Sequence, residues 1–138
     1  MIGESIEAAR RHGGAVVIGS KGHKDSVVER SLMRRLFSST IAVLNNLFFG
    51  LGVKDTQGSI LFYGETIRRY HKLMDSQGAF FQTQILIYSA LTGYKLVEIP
   101  VVLSEELRKT RFSLASDGLK YLSSIISEKI KLMKTGLR

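Results

Sequence analysis

The sequence predicts an α/β layer structure, on the evidence of its periodicity, its breakers and its composition. Segments with helical periodicity alternate with short apolar runs rich in β-branched residues. Glycines and polar turns bound those runs, and the chain's only proline, Pro100, sits in the last of them. At 138 residues, 44% hydrophobic and 23% charged, the chain has the ordinary make-up of one folded domain with a core of its own.

Taken in order, residues 4–12 read as a helix stopped by Gly13-Gly14, since glycine accepts the left-handed backbone that ends helices. Residues 15–19, Ala-Val-Val-Ile-Gly, fit a buried strand of a parallel sheet. A polar, basic loop over 20–26 follows. Residues 27–49 read as one long helix, with charge early (Glu29, Arg30, Arg34, Arg35) and apolar residues late. Residues 54–58 form a turn and 60–63 a strand. An amphipathic helix spans 65–74, with Ile67, Tyr70, Leu73 and Met74 on one side, and 75–78 breaks it. A helix over 80–91 ends at Gly93, residues 96–103 form a strand, and 114–134 are helical. No earlier strand precedes the first helix and strand, so a piece of a larger domain is expected.

The formal charge of +8, from 20 Lys+Arg against 12 Asp+Glu, favours an anionic partner: a phosphorylated substrate, a membrane surface or a nucleic acid. No helix-turn-helix spacing, zinc motif or aromatic nucleic-acid stretch occurs, so no nucleic acid is expected. With no cysteine there are no disulfides and no thiolate metal sites. His12, His23 and His71 lack metal-ligand spacing and read as surface residues, while Phe48, Phe49, Phe80 and Phe81 read as core. Residues 1–12 have no apolar leader pattern. The longest apolar stretch, 41–53, is interrupted by Asn45 and Asn46 and falls short of the roughly 20 residues that span a bilayer.

Motifs at characteristic spacing then accumulate. Ala15-Val16-Val17-Ile18-Gly19-Ser20-Lys21 is followed by Arg30-Ser31-Leu32-Met33-Arg34 with Ser38, and by Val53-Lys54-Asp55-Thr56-Gln57-Gly58 with Leu61-Phe62. Gly78-Ala79-Phe80-Phe81-Gln82-Thr83-Gln84-Ile85-Leu86 and Gly93-Tyr94-Lys95-Leu96-Val97-Glu98-Ile99-Pro100-Val101 come next, then Arg111-Phe112-Ser113 before a basic helix. Together these segments cover residues 4–134. They resemble the C-terminal portion of family-2 glycosyltransferases of the dolichyl/polyprenyl-phosphate mannose or glucose synthase type. The resemblance implies the C-terminal, acceptor-side part of a Rossmann-like, three-layer nucleotide-diphospho-sugar transferase domain over 1–113, with an amphipathic helix over 114–138. The implied activity moves a sugar from a nucleotide sugar to a polyprenyl or dolichyl phosphate, at the cytoplasmic face of a membrane, with peripheral contact. The family's Asp-x-Asp motif, which holds a divalent cation (Mg or Mn) under the donor, occurs nowhere in this sequence. The expectation is therefore that this chain alone binds no cofactor, and that a missing or separate N-terminal half holds the nucleotide sugar. The alternative is a non-catalytic membrane-surface or regulatory protein derived from such an enzyme. Homo-oligomerisation stays open.

By resemblance, Lys21, Arg34 and Ser38 hold the acceptor phosphate, supported by Arg30. A phosphate oxygen is already ionised at neutral pH, so it needs fixed cations and donors rather than a strong base. Arg34 and Ser38 stand one helical turn apart, and Lys21 follows a strand end. Relatives carry Arg at Lys21, which changes a bidentate contact into a point charge. The plainer alternative is a solvated basic helix face. Asp55 takes the catalytic position by resemblance, with Thr56 and Gln57 beside it; an Asx-type turn explains it equally well. Gly58 and Phe62 come one position early against the family pattern, a shift that turns strand side chains over. Gln82 and Gln84 replace acids, which points to lost support for activity or to a backbone-bonded polar pair. On the last helix, Ala115, Leu119, Leu122, Ile126, Ile130 and Met133 form a stripe flanked by Lys120, Lys129, Lys131 and Lys134. That pattern fits a membrane-interface helix, or one packed on the domain or a second subunit.

Overall fold

The structure is a computed structural model and describes residues 2–103, 113 and 116–137. In chain order its elements are α1 (Ile2–Arg11), β1 (Val16–Ser20), β2 (Val27–Val28), α2 (Leu32–Phe49), β3 (Ser59–Leu61), α3 (Gly64–Tyr70), α4 (Ala79–Leu91), β4 (Leu96–Pro100), β5 (Val102–Leu103) and α5 (Ser116–Thr135). The class is mixed α/β, as the sequence predicts: a small mixed sheet with, among the described residues, five helices.

β1 is buried at every position and lies at the centre of a three-stranded sheet. It runs antiparallel to β3, with Ile18 opposite Ile60, and parallel to β4, with Ile18 beside Glu98. Side chains alternate along a strand, so Val16 and Ile18 share one face and Val17 takes the other. On the first face, Val16 and Ile18 join Ile41 of α2, Tyr70 of α3, Leu86 and Tyr88 of α4, and Tyr121, Ile125 and Leu132 of α5 in one apolar cluster. α1 packs along β1 and β4 and buries Ala9. Residues 116–135 therefore do not stand apart from the preceding chain, because α5 contributes to the same core.

The long helix expected over 27–49 begins later. Ser31 caps α2, its Oγ accepting the Arg34 N–H, and Gly50 ends it at φ 65°. Val27 and Val28 pair instead with Val102 and Leu103 in a separate two-stranded sheet. The expected strand over 96–103 breaks accordingly at Val101, whose carbonyl accepts the Val27 N–H at 3.0 Å. The early glycine of β3 has a local reason. A Cβ on Gly58 would lie 2.3 Å from the Gly19 carbonyl oxygen, so only glycine lets β3 approach β1 here. Ile60 and Phe62 both pack on the core.

Candidate functional site

The chain leaves β1 at Ser20 and turns at the strand's C-terminal end, where α/β sheets present ligands. That turn is strapped to its neighbours. Ser26 Oγ donates to the Ser20 carbonyl at 2.6 Å and accepts the Val101 N–H at 2.9 Å, while Ser20 Oγ accepts the Gly22 N–H at 3.2 Å. Asp55, almost fully buried, joins the two loops of the site. Its Oδ1 accepts the Gln57 N–H at 2.8 Å and its Oδ2 the Lys21 N–H at 2.9 Å. The Asx-type turn is thus present, and the second oxygen also fixes the loop after β1. Glu98 of β4 completes the brace, its Oε1 accepting the N–H groups of Lys54 (2.9 Å) and Asp55 (3.0 Å).

These segments enclose a cleft of about 260 Å³ lined by Lys21, His23, Arg30, Arg35, Ser38, Lys54 and Asp55, among others. Arg30 spans it: one guanidinium nitrogen donates to Ser38 Oγ at 3.4 Å and another to the Lys21 carbonyl at 3.3 Å, while its Nε is buried without a hydrogen-bond partner. Arg35 donates to the Val28 carbonyl at 3.5 Å. Among the described residues, no carboxylate pairs with the side chains of Lys21, Arg30, Arg35 or Lys54. The result is a polar cleft with excess cationic charge and free hydroxyl capacity, suited to an anionic oxygen cluster. Lys21, Ser38 and Asp55 meet as expected. Arg34 does not line the cleft; Arg30 occupies that role, because the chain before Ser31 is extended and carries Arg30 back over the strand end.

The supporting residues lie behind the cleft. Thr56 Oγ1 accepts from Asn45 Nδ2 at 3.0 Å and meets the Tyr121 hydroxyl at 3.3 Å. Gln57 Nε2 donates to the Ala79 carbonyl at 3.0 Å and to Tyr121 at 3.1 Å. The Asp55 turn is thereby bolted to α4 and α5. Among the described residues, Gln82 donates to the Gly58 carbonyl alone, at 3.4 Å. Gln84 is fully buried away from the cleft; its Nε2 donates to Asp75 at 3.2 Å and to Glu128 at 2.7 Å, and its Oε1 accepts the Ser76 N–H at 3.0 Å. An amide suits this place because it donates to two carboxylates while accepting elsewhere; a glutamate would face Asp75 and Glu128 directly. The Tyr88 hydroxyl also donates to Glu128, and Lys131 Nζ reaches Glu128 (3.0 Å), Asp75 and the Leu73 carbonyl (2.9 Å). The lysine's hydrogen bond is the main reason the Asp75 carboxyl lies below its ordinary range, and burial followed by the Glu128 contact pushes the Tyr88 hydroxyl upward.

Of the flanking lysines, Lys120 and Lys134 are exposed, whereas Lys131 turns to this buried network and Lys129 Nζ donates to the Phe48 carbonyl at 2.8 Å. α5 buries Gly118, Tyr121, Ile125, Glu128 and Leu132, leaving the stripe from Leu119 to Met133 exposed. Ala115, Arg111 and Phe112 lie outside the described residues. Glu98 and Lys54 stand inside the motif runs without an assigned role, and Arg35 and His23 outside them; a lone acid inside the apolar run 96–103 was the visible signal for Glu98. No group of three metal-ligating side chains occurs among the described residues, and each Asp55 oxygen accepts a backbone N–H. No described helix is long and apolar enough to cross a membrane. Comparison with protein-family models, curated proteins and solved structures finds no match to this chain.

Proposed function

We propose that this chain is the acceptor-side part of a Rossmann-like glycosyltransferase that delivers a sugar from a nucleotide sugar to a polyprenyl or dolichyl phosphate at the cytoplasmic surface of a membrane. One observation carries the reading: Lys21, Arg30, Arg35 and Lys54 gather at a strand end around the Ser38 hydroxyl, and among the described residues no carboxylate pairs with their side chains. In the proposed reaction a phosphate oxygen forms the new bond to the anomeric carbon as the bond to the nucleotide diphosphate breaks, with inversion. The cations hold the nucleophile and screen its charge from the anionic donor. Asp55 acts as a positioning residue, since each of its oxygens accepts a backbone N–H and together they hold the loop carrying Lys21. By the same resemblance, the donor diphosphate and its divalent cation are held by a missing or separate N-terminal half.

Amide chemical-shift mapping with a water-soluble short-chain isoprenyl phosphate tests this. Saturable shifts at Lys21, Gly22 and Ser38, unmatched by the corresponding alcohol, support the reading; shifts scattered over unrelated surfaces contradict it. A non-catalytic membrane-surface protein is the second reading, favoured by the full commitment of Asp55 to backbone. It predicts vesicle binding with no response to isoprenyl phosphate.

A further inference from the structure

Asn45 and Asn46 interrupt the longest apolar stretch of the sequence, and neither lines the cleft. Both reach the segment that carries Lys54 and Asp55. Asn46 holds Val53 as a neighbouring strand would: its Nδ2 donates to the Val53 carbonyl at 2.8 Å, and its Oδ1 accepts the Val53 N–H at 3.1 Å. Asn45, fully buried, donates through Nδ2 to Thr56 Oγ1 and to the Tyr121 hydroxyl, each at 3.0 Å. That hydroxyl of α5 is a meeting point. It also accepts from Gln57 Nε2 at 3.1 Å, stands 3.3 Å from Thr56 Oγ1, and pairs with Thr83 Oγ1 of α4. A phenol has one proton to give and lone pairs to fill. The Asn45 and Gln57 amides fill the lone pairs, so the proton is left for a threonine, Thr83 being the nearer. One buried hydroxyl thus ties α2, α4 and α5 to residues 56 and 57.

We propose that Tyr121 is a positioning residue for the cleft, and that α5 through it sets how tightly the cleft holds an anion. The route is short. Tyr121 fixes Thr56 and Gln57; Asp55, next in the chain, holds the Gln57 N–H at 2.8 Å and the Lys21 N–H at 2.9 Å. Lys54 precedes Asp55 on the same segment, so Lys21 and Lys54, two cations of the cleft, take their places from a stretch anchored to α5. Glu98 grips the Lys54 and Asp55 N–H groups from the sheet side, so loss of the phenol hydroxyl loosens the segment without releasing it. The other partners are likewise not stranded: Asn45 keeps Thr56, and Gln57 keeps the Ala79 carbonyl and Thr83. Tyr121→Phe also retains the ring, which stands edge-on to Phe80 with centroids 5.2 Å apart, so the variant folds. The choice of isoprenyl phosphate as the anion rests on the proposed function; the coupling of α5 to the Lys21 loop does not.

Tyr121→Phe is compared with wild type by isothermal titration with a short-chain isoprenyl phosphate and by amide hydrogen exchange. Tyr88→Phe is the matched control: it removes another fully buried hydroxyl, one bonded to Glu128 of the same helix rather than to residues 53–57. The expected result is that Tyr121→Phe weakens binding about threefold to tenfold, the worth of one neutral hydrogen bond, while Tyr88→Phe binds like wild type. In Tyr121→Phe the Lys21 and Gln57 amides exchange faster, and the amides of the β1–β4 ladder change no more than in Tyr88→Phe. Equal weakening by both variants, or exchange raised evenly across the sheet, assigns Tyr121 to general stability and overturns the proposal. Unchanged affinity with unchanged exchange at Lys21 and Gln57 overturns it too. If wild type binds no isoprenyl phosphate, the proposed function fails, and exchange at Lys21 and Gln57 alone decides the coupling. Should Tyr121→Phe not fold, Thr83→Val removes the Thr83–Tyr121 hydrogen bond from the α4 side and is judged by the same readouts.

Discussion

Glu128 offers a demanding test of how α5 is held. Its carboxylate is 2% exposed and accepts from the Tyr88 hydroxyl, Gln84 Nε2 and Lys131 Nζ. In Glu128→Ala, Gln84 and Lys131 keep Asp75, but the fully buried Tyr88 hydroxyl loses its acceptor. Stranding that hydroxyl costs about 1–3 kcal/mol, and removing one partner of a buried ionic cluster costs about 3–5 kcal/mol in all. Lys131 is partly solvated and retains a carboxylate, so the lower end, about 3 kcal/mol, applies. With a urea slope of about 1–3 kcal/mol/M for a small domain, the midpoint falls by about 1–3 M. Tyr88→Phe alone removes the donor and costs about 1 kcal/mol. In the double variant no hydroxyl is stranded, so the combined loss is smaller than the sum by about 1 kcal/mol or more. Urea denaturation of the four proteins measures this directly. Strictly additive losses, or an alanine variant as stable as wild type, would refute the network.

The remaining predictions concern the sheet, the pH limbs and the cleft. Gly58→Ala places a methyl group 2.3 Å from the Gly19 oxygen, so thermal melting shows a loss of about 1–3 kcal/mol, the usual overpacking range. Asp75 is held below its ordinary 3.8 chiefly by Lys131; its contribution is complete above that value and is lost as pH falls through the lower, folded one. Tyr88 is raised above its ordinary 10.0, so its contribution is complete below that value and is lost as pH rises beyond it. Urea midpoints against pH then show Asp75→Asn flattening only the acid limb and Tyr88→Phe only the alkaline one; equal effects on both limbs would contradict the assignment. In the cleft, Arg30→Gln weakens isoprenyl phosphate binding about 10- to 100-fold, the worth of a charge-assisted contact, and Arg34→Gln weakens it less; calorimetry separates them.

Local pattern made some of this architecture legible and concealed the rest for identifiable reasons. The run 15–19 announced the central strand because five consecutive apolar or glycine residues fit nothing but a buried element. Gly13-Gly14 marked a helix end that the backbone confirms with positive φ. Val27-Val28 was absorbed into a helix because a two-residue strand has no period; only its partner 75 residues onward gives it a state. That error also set Arg30, already named as a supporting residue, on a helix; it lies instead in the segment before Ser31, the cap of α2. α5 presents two stripes, and the purely apolar one is the outer. The inner one carries Tyr121 and Glu128, whose polar atoms are satisfied by Asn45, Gln57, Gln84 and Tyr88 from distant segments. No local reading supplies those partners. The same holds for Gln84, whose amide makes sense only beside Glu128.

Isothermal titration of the chain with a short-chain isoprenyl phosphate and its dephosphorylated alcohol, repeated with Arg30→Gln, addresses the central claim most directly. The account predicts saturable, salt-sensitive binding of the phosphate, little of the alcohol, and loss of the difference in the variant. Equal affinity for phosphate and alcohol, or a variant indistinguishable from wild type, would contradict it.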